Sequence, residues 1–313
     1  MDIRQLVYFL SVVEFKSFTK AAQRLNVAQT ALSYHVRNLE SELCVALLLR
    51  SSRGVEPTEP GLQLVDYARR ILALTEEAKR QVADSSGPPR GRLVVGMPSS
   101  VIVILAAPLL GLCRSRYPEI SLNLVEDRSN VLTEWVQSGQ LDLALAFDAP
   151  AAKQFVTTPL LVEDLFFVQN AAACKNSGPI PFSEVMDHRL CIPGFSSGVR
   201  RMIEQKAAEA GKPVDILFEM RSVLAAREFA ELDLSPTILP FCLVQRQVAD
   251  GHLVARRIVD PPITRTLLLV SSQRRVPSKA EQVVRALLVE VIADAVAKLP
   301  EAWRLYPGPA EKA

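Results

Sequence analysis

The chain has 313 residues, 36 of them Lys or Arg and 34 Asp or Glu, with 49% hydrophobic and 22% charged residues. That length implies about two domains whose cores need no disulfide or metal staple, and the average composition excludes a mini-protein, a fibrous repeat and a long disordered chain. Five scattered cysteines (Cys44, Cys113, Cys174, Cys191 and Cys242) form no CxxC pair, so they read as reduced core thiols.

The N-terminal run MDIRQLVYFLSVVEF carries Asp2 and Glu14 and lacks a basic leader region, so no secretory signal is expected and the chain is read as cytoplasmic. In it Leu6, Phe9, Leu10 and Val13 fall at i, i+3, i+4 and i+7, and Phe18, Ala21, Ala22 and Leu25 repeat that spacing after Ser17, a candidate N-cap. These are two amphipathic helices. After a corner at Asn26-Val27, a third helix over about 28–40 is expected to bury Ala31, Leu32, Val36 and Leu39. Gln29, Thr30, Ser33, Tyr34 and Arg37 lie on its other side and make a hydrogen-bonding face without an acid. A helix, a tight turn and a second helix with such a face is the geometry that places side chains in the major groove of DNA. The segment from Lys16 to Arg53 is also locally basic, with Lys16, Lys20, Arg24, Arg37, Arg50 and Arg53 against Glu40 and Glu42, whereas residues 91–313 balance. Leu47-Leu48-Leu49 reads as a short strand, residues 50–54 as a basic turn and Val55-Glu56-Pro57 as the return strand. Arg50 and Arg53 at such a tip would meet phosphate or enter the minor groove.

Thr58 is placed to cap a helix over about 59–85, with Pro60 tolerated in the first turn. Within it Leu64, Ala68, Ile71, Thr75, Ala78 and Val82 advance by alternating steps of four and three, the seam of a coiled coil. Ser85-Ser86-Gly87-Pro88-Pro89 then breaks the helix as a hinge. Beyond it, apolar strand candidates at 93–97, 122–125, 141–147, 165–168, 189–192, 237–239 and 267–270 alternate with helical stretches, the pattern of parallel α/β sheets. Leu93 to Cys113 carries no charge but is broken by Gly96, Pro98, Ser99, Ser100 and Pro108, so it reads as a buried strand leading into a buried helix rather than a membrane span.

The run SFTKAAQRLNVAQTALSYHVRNLESEL followed by LLLRSSRGVEPTEPG closely resembles the winged helix-turn-helix of LysR-type transcriptional regulators, and the resemblance extends over essentially the whole chain. Within that family PLLVEDLFFV is similar to the corresponding stretch of the nitrogen assimilation control protein branch. The resemblance implies an α/β chain with a helix-rich N-terminal winged helix-turn-helix (1–58), a dimerising linker helix with its hinge (59–90), and an effector domain (91–313). The last is expected to resemble periplasmic binding proteins, with one subdomain at 91–160 plus 266–313 and the other at 161–265. The implied partners are a double-stranded DNA operator and further copies of the chain, a dimer through the linker and a tetramer through the effector domain, with RNA polymerase as a further candidate and no membrane. Thr30 stands where many relatives have proline.

Ligands of open α/β sheets sit where strands end and helices begin. The family commonly binds its inducer at the first such corner of the effector domain, so Ser99 and Ser100 are the leading effector candidates, followed by Arg128 and Ser129 and by Ser196 and Ser197 at two other corners. Donors at Ser99 and Ser100 without a nearby acid suggest a small anion. No cofactor or metal is expected. The sequence departs from the family at Asp233-Leu234-Ser235-Pro236, where a glycine-containing loop is usual. Asp142 reads as structural and His35, His188 and His252 as isolated. The absence of GxSxG, GxxxxGK[ST], HExxH and GxGxxG argues against an α/β enzyme, and the first 58 residues are unexplained by a solute-binding protein. A regulator that needs no inducer is the remaining alternative.

Overall fold

A computed structural model describes residues 1–307 apart from 52–53, 84–86, 148–151, 153 and 195–196, and apart from the side chains of 76–77 and 80–83. Arg53, Ser196, Val82 and the Ser85-Ser86 hinge therefore lie outside the described residues. The chain divides into two compact units, residues 1–88 with 134–141, and residues 89–133 with 142–313.

In the first unit α1 (Ile3–Phe15), α2 (Phe18–Leu25) and α3 (Gln29–Leu43) pack on one another around Phe9, Val12, Ala21, Leu32, Val36 and Leu39. Each start has a local cause. Asp2 and Gln5 form a reciprocal capping box at α1, and the Ser17 hydroxyl accepts from the Lys20 amide at α2. α1, α2 and α3 stop at Lys16, Asn26 and Cys44, all in the left-handed region. β1 (Leu48–Ser51) and β2 (Gly54–Pro57) form the wing, antiparallel from Leu48↔Pro57 to Ser51↔Gly54. Glu40, in the sequence only an acid on the third helix, holds this wing to α3. Its Oε1 accepts from the amides of Leu47 and Leu48 at 2.8 and 3.2 Å.

The linker α4 (Glu59–Ala83) is capped by Thr58, whose hydroxyl accepts from the Gly61 amide at 3.0 Å and donates to the Ala46 carbonyl at 2.8 Å. Gly61 costs helix propensity, but a Cβ there would lie 2.1 Å from the Leu47 carbonyl oxygen. A Gly61→Ala change should thus destabilise the N-terminal domain by about 1–3 kcal/mol, read as a lower urea midpoint, although alanine is the better helix former. The coiled-coil seam is corrected in its first half. Ala68 is 0% exposed, and Val65 and Leu64 pack into the winged-helix core, so these turns are taken by the domain itself. The stripe left at the surface is Tyr67, Ile71, Leu74 and Ala78, with Ile71 half-buried and Tyr67 60% and Leu74 65% exposed. It keeps the four-three-four spacing.

The second unit holds β3 (Gly91–Met97), α5 (Ser99–Arg116), β4 (Ile120–Glu126), α6 (Ser129–Gln137), which runs into the 134–141 stretch, and β5 (Leu143–Phe147). There follow β6 (Phe155–Asn170), β7 (Ile180–Pro181), α7 (Phe182–Val185), β8 (Leu190–Ile192), α8 (Gly198–Glu209), β9 (Ile216–Glu219), α9 (Val223–Glu231), β10 (Thr237–Pro240), α10 (Gln245–Ala249), β11 (Leu253–Val259), β12 (Thr264–Ser272), α11 (Lys279–Lys298) and β13 (Trp303–Leu305). The sheets are mixed rather than wholly parallel as expected. β4-β3-β5 and β10-β8-β9 are parallel runs, but β6 and β12 carry the chain from one lobe to the other and back, and pair antiparallel. β6 pairs with β12 over Phe155–Asp164 and with β10 and β11 over Leu165–Asn170, so the first crossover falls at 164–165 and the second at 260–263. The expected positions near 160 and 265 are close to both.

Lobe I packs α5 and α11 on its sheet around Val101, Leu105, Leu109, Val284, Leu288 and Val291, and a second core in lobe II gathers Phe167, Ile180, Phe182, Ile203 and Ile238. By length and composition α5 would cross a membrane, yet its Val101, Leu105, Leu109 and Cys113 are core residues. Asp233, in the loop that lacks the family's glycine, takes φ +56, a conformation that Asp tolerates better than most side chains. Asp142 is structural: its carboxylate accepts from the Val94 amide at 2.8 Å and pairs with Arg275 at 2.9 Å.

Candidate functional site

The α3 face is built by the packing of its opposite side. Leu32, Val36 and Leu39 are core, which turns Gln29, Thr30, Tyr34 and Arg37 outward, all exposed. Two residues differ from expectation. Ser33 is only 6% exposed, because α3 packs against both α1 and α2 and its buried arc extends one position past Val36. Ala31, expected in the core, is exposed. His35 packs edge-on between Tyr8 and Tyr34.

Arg50 is also relocated. It belongs to strand β1, opposite Val55, rather than to the wing tip, and its guanidinium lies 4.1 Å from the centroid of the Phe18 ring on α2. That stacking places it in a groove of about 450 Å³ lined by Phe15, Lys16, Ser17, Lys20, Ser51 and Gly54. Its ionised lining residues are Lys16, Lys20 and Arg50, and no carboxylate among the described residues pairs with them. The groove is held in shape where the Val55 amide donates to the Lys16 carbonyl at 3.0 Å. Gly54, at φ +126, brings β2 so close to that carbonyl that a Cβ would lie 2.9 Å from it. Three cations beside the N-terminus of α2 make the groove a concavity of positive charge. Lys16 and Lys20 were visible in the sequence as part of the local basic excess, but their convergence with Arg50 depends on the wing folding back on α2.

At the effector corner the hydroxyls of Ser99 and Ser100 are already engaged. Ser99 Oγ donates to Glu126 at 2.5 Å, and Ser100 Oγ accepts from Arg265 at 3.0 Å. The expectation of an acid-free corner is overturned. Glu126 ends β4 in register with Met97 of β3, which brings its carboxylate to the first turn of α5, where the helix dipole favours an anion. Ser129 Oγ accepts from the Phe147 amide at 3.0 Å and thereby joins α6 to β5. Arg128 is exposed, and Ser197 precedes α8 without a side-chain cap. Glu163, Arg265 and Trp303, at the lobe junction, escaped the sequence reading. Glu163 is 0% exposed, accepts from Arg265 Nε at 2.6 Å and from Trp303 Nε1 at 2.8 Å, and Arg265 lies 3.6 Å from the Phe147 ring centroid. The Cys242 thiol donates to the Ser100 carbonyl at 3.3 Å. Among the described residues no group of histidines, cysteines and acids is arranged to hold a metal.

A helix-turn-helix with an outward polar face, a wing beside a cationic groove and a two-lobed α/β domain define a DNA-binding transcriptional regulator rather than an enzyme. Residues 3–62 match the bacterial regulatory helix-turn-helix protein model of the lysR family, and residues 86–293 match the LysR substrate binding domain. The nitrogen assimilation regulatory protein nac of Klebsiella aerogenes is 30% identical over 293 residues, covering 93% of this chain and 95% of that protein. The HTH-type transcriptional regulator BbuR of Bordetella bronchiseptica is 30% identical over 274 residues, covering 87% and 84%. Among solved structures, a full-length OxyR variant from Pseudomonas aeruginosa superposes with a TM-score of 0.71 at 22% identity, covering 93% of this chain and 94% of that one. Full-length CbnR complexed with its target DNA gives 0.68 at 21%, covering 94% and 100%. The chain belongs to the LysR family of transcriptional regulators, near its nitrogen assimilation regulatory branch.

Proposed function

We propose that this regulator acts in the cytoplasm as a dimer joined through α4, reads a pseudo-palindromic operator with Gln29, Thr30, Tyr34 and Arg37 in the major groove, and seats backbone phosphate in the Lys16, Lys20 and Arg50 groove. The observation that carries this reading is the acid-free exposed face of α3 next to a groove lined by three cations that no described carboxylate pairs. Pairing of effector domains into a DNA-bending tetramer is supported by large exposed apolar side chains, Val103 and Leu110 on α5 and Leu224 on α9. RNA polymerase is the further partner such an assembly would present itself to.

The phosphate contribution is sequence-independent and salt-dependent, so a duplex selected by the protein from a random pool suffices as a probe. A Lys16→Gln, Lys20→Gln double variant should lower the slope of log affinity against log salt by about two while leaving base preference intact. An unchanged slope would remove the groove from the interface. Failure to select any duplex would overturn the operator reading itself.

A small effector at the Ser99 and Ser100 corner is the first reading of the C-terminal domain, and an anion there would have to displace Glu126 from Ser99. The engagement of both hydroxyls favours a second reading, a regulator whose active form needs no inducer. Calorimetry of the whole protein against small carboxylates, with a Ser99→Ala, Ser100→Ala control, separates the two. Binding lost in the control supports the effector site, and silence across the panel supports the second reading.

A further inference from the structure

We propose that the C-terminal strand β13 controls a latch between the two lobes of the effector domain, in which Trp303 and Glu163 hold Arg265 against Ser100 while Cys242 of the other lobe hydrogen-bonds the Ser100 carbonyl. This deepens the reading of the Ser99 and Ser100 corner as the regulated site and rests on it.

Glu163 lies on the middle strand of three, directly across from Arg265 on β12 and from Trp303 on β13. Its two oxygens are divided between them, Oε1 to the indole N–H and Oε2 to the guanidinium. Because Glu163 is wholly buried, removing the indole donor leaves a carboxylate oxygen without a partner, and the network has to readjust to satisfy it. Arg265 cannot follow freely. Phe147 fixes one face of its guanidinium, and Nη2, which also lies 2.5 Å from Glu163 Oε2, donates to Ser100 Oγ in the first turn of α5. Ser100 thus stands at the end of a chain that starts in β13, and its carbonyl is the acceptor for the Cys242 thiol in the Phe241–Leu243 turn that follows β10. Burial, and after it the charge of Glu163, push the Cys242 thiol well above its ordinary pKa, so the S–H is retained as the donor. Next to this chain Asp164 takes Arg304 of β13 at 2.7 Å and Arg257 of lobe II, so β13 is tied at the crossover by two adjacent acids.

The test is pulse labelling of the full-length protein with N-ethylmaleimide, read for each cysteine by peptide mass spectrometry. Trp303→Phe keeps an aromatic ring, smaller than the indole, and removes the N–H. It should raise the labelling rate of Cys242 by about tenfold, the equivalent of one hydrogen bond to a charged group, with Cys191, buried on β8, unchanged. Ser100→Ala, which removes the acceptor of Arg265 and leaves Glu163 paired, should raise Cys242 labelling in the same way. It serves as the second variant should Trp303→Phe expose Cys191 as well. Transcription from a promoter carrying a selected site should shift several-fold in either variant, with duplex affinity unchanged. Equal Cys242 labelling in the wild type and in whichever variant keeps Cys191 protected overturns the latch. Faster labelling with unaltered transcription overturns its regulatory role, and loss of all duplex binding would count instead against the operator reading.

Discussion

A Leu74→Glu variant should lose the proposed association through α4 and sediment at micromolar concentration as a smaller assembly than the unmodified protein. Leu74 is the most exposed large apolar residue among the described residues of the linker and lies on one stripe with Tyr67, Ile71 and Ala78. A carboxylate in the middle of that stripe would be desolvated without a partner on association, costing several kcal/mol, on the order of a hundredfold or more in the dimer dissociation constant. Operator affinity should fall further, since two half-sites could no longer be engaged together. Leu62 provides the control. It is also exposed but lies about 120° away around the helix, so Leu62→Glu should leave the assembly intact. A Leu74→Glu protein that sediments as the unmodified protein does would move the interface off this stripe.

Glu163→Ala should destabilise the effector domain by about 3–5 kcal/mol, measured as a fall in the urea midpoint of its transition. The buried pair is not a large net source of stability, because both charges were stripped of water to form it. The cost of the single change comes from leaving Arg265, 12% exposed, without its counter-ion. Replacing both partners by apolar residues of similar size, Glu163→Leu with Arg265→Met, should recover most of the loss while abolishing the link to Ser100. A loss of less than about 1 kcal/mol in the single variant would mean that water reaches the pair.

Much of this was legible in residue order. Three helices, the wing and the capped linker follow from apolar spacing and capping residues, which act over a few positions, whereas the two crossovers came only from the family resemblance. What stayed hidden depends on distant segments meeting. A small residue such as Ser33 looks the same in a core as on a polar face, and its burial is decided by the helices packed beside it. Arg50 reads as a turn residue until the ring of Phe18 holds it to α2. The corner at Ser99 looked free of acids because Glu126 is 27 positions away in sequence. One signal was present and unused. Glu163 and Asp164 are adjacent acids inside the apolar run LLVEDLFFV, and acids so placed call for cationic partners, which β11 and β12 supply through the half-exposed Arg257 and the largely buried Arg265.

The 16-residue strand β6 belongs to both sheets and changes partners between Asp164 and Leu165, and the chain returns only once, through residues 260–263. Two passages allow the lobes few independent torsions, so their relative movement approaches a single angular coordinate, like a door on two pins. Whatever acts on this domain, from the corner, from β13 or from a neighbouring copy, then adds or subtracts torque about that one axis. Perturbations of different chemical origin should therefore be interchangeable in effect, an added ligand offsetting a substitution far from it.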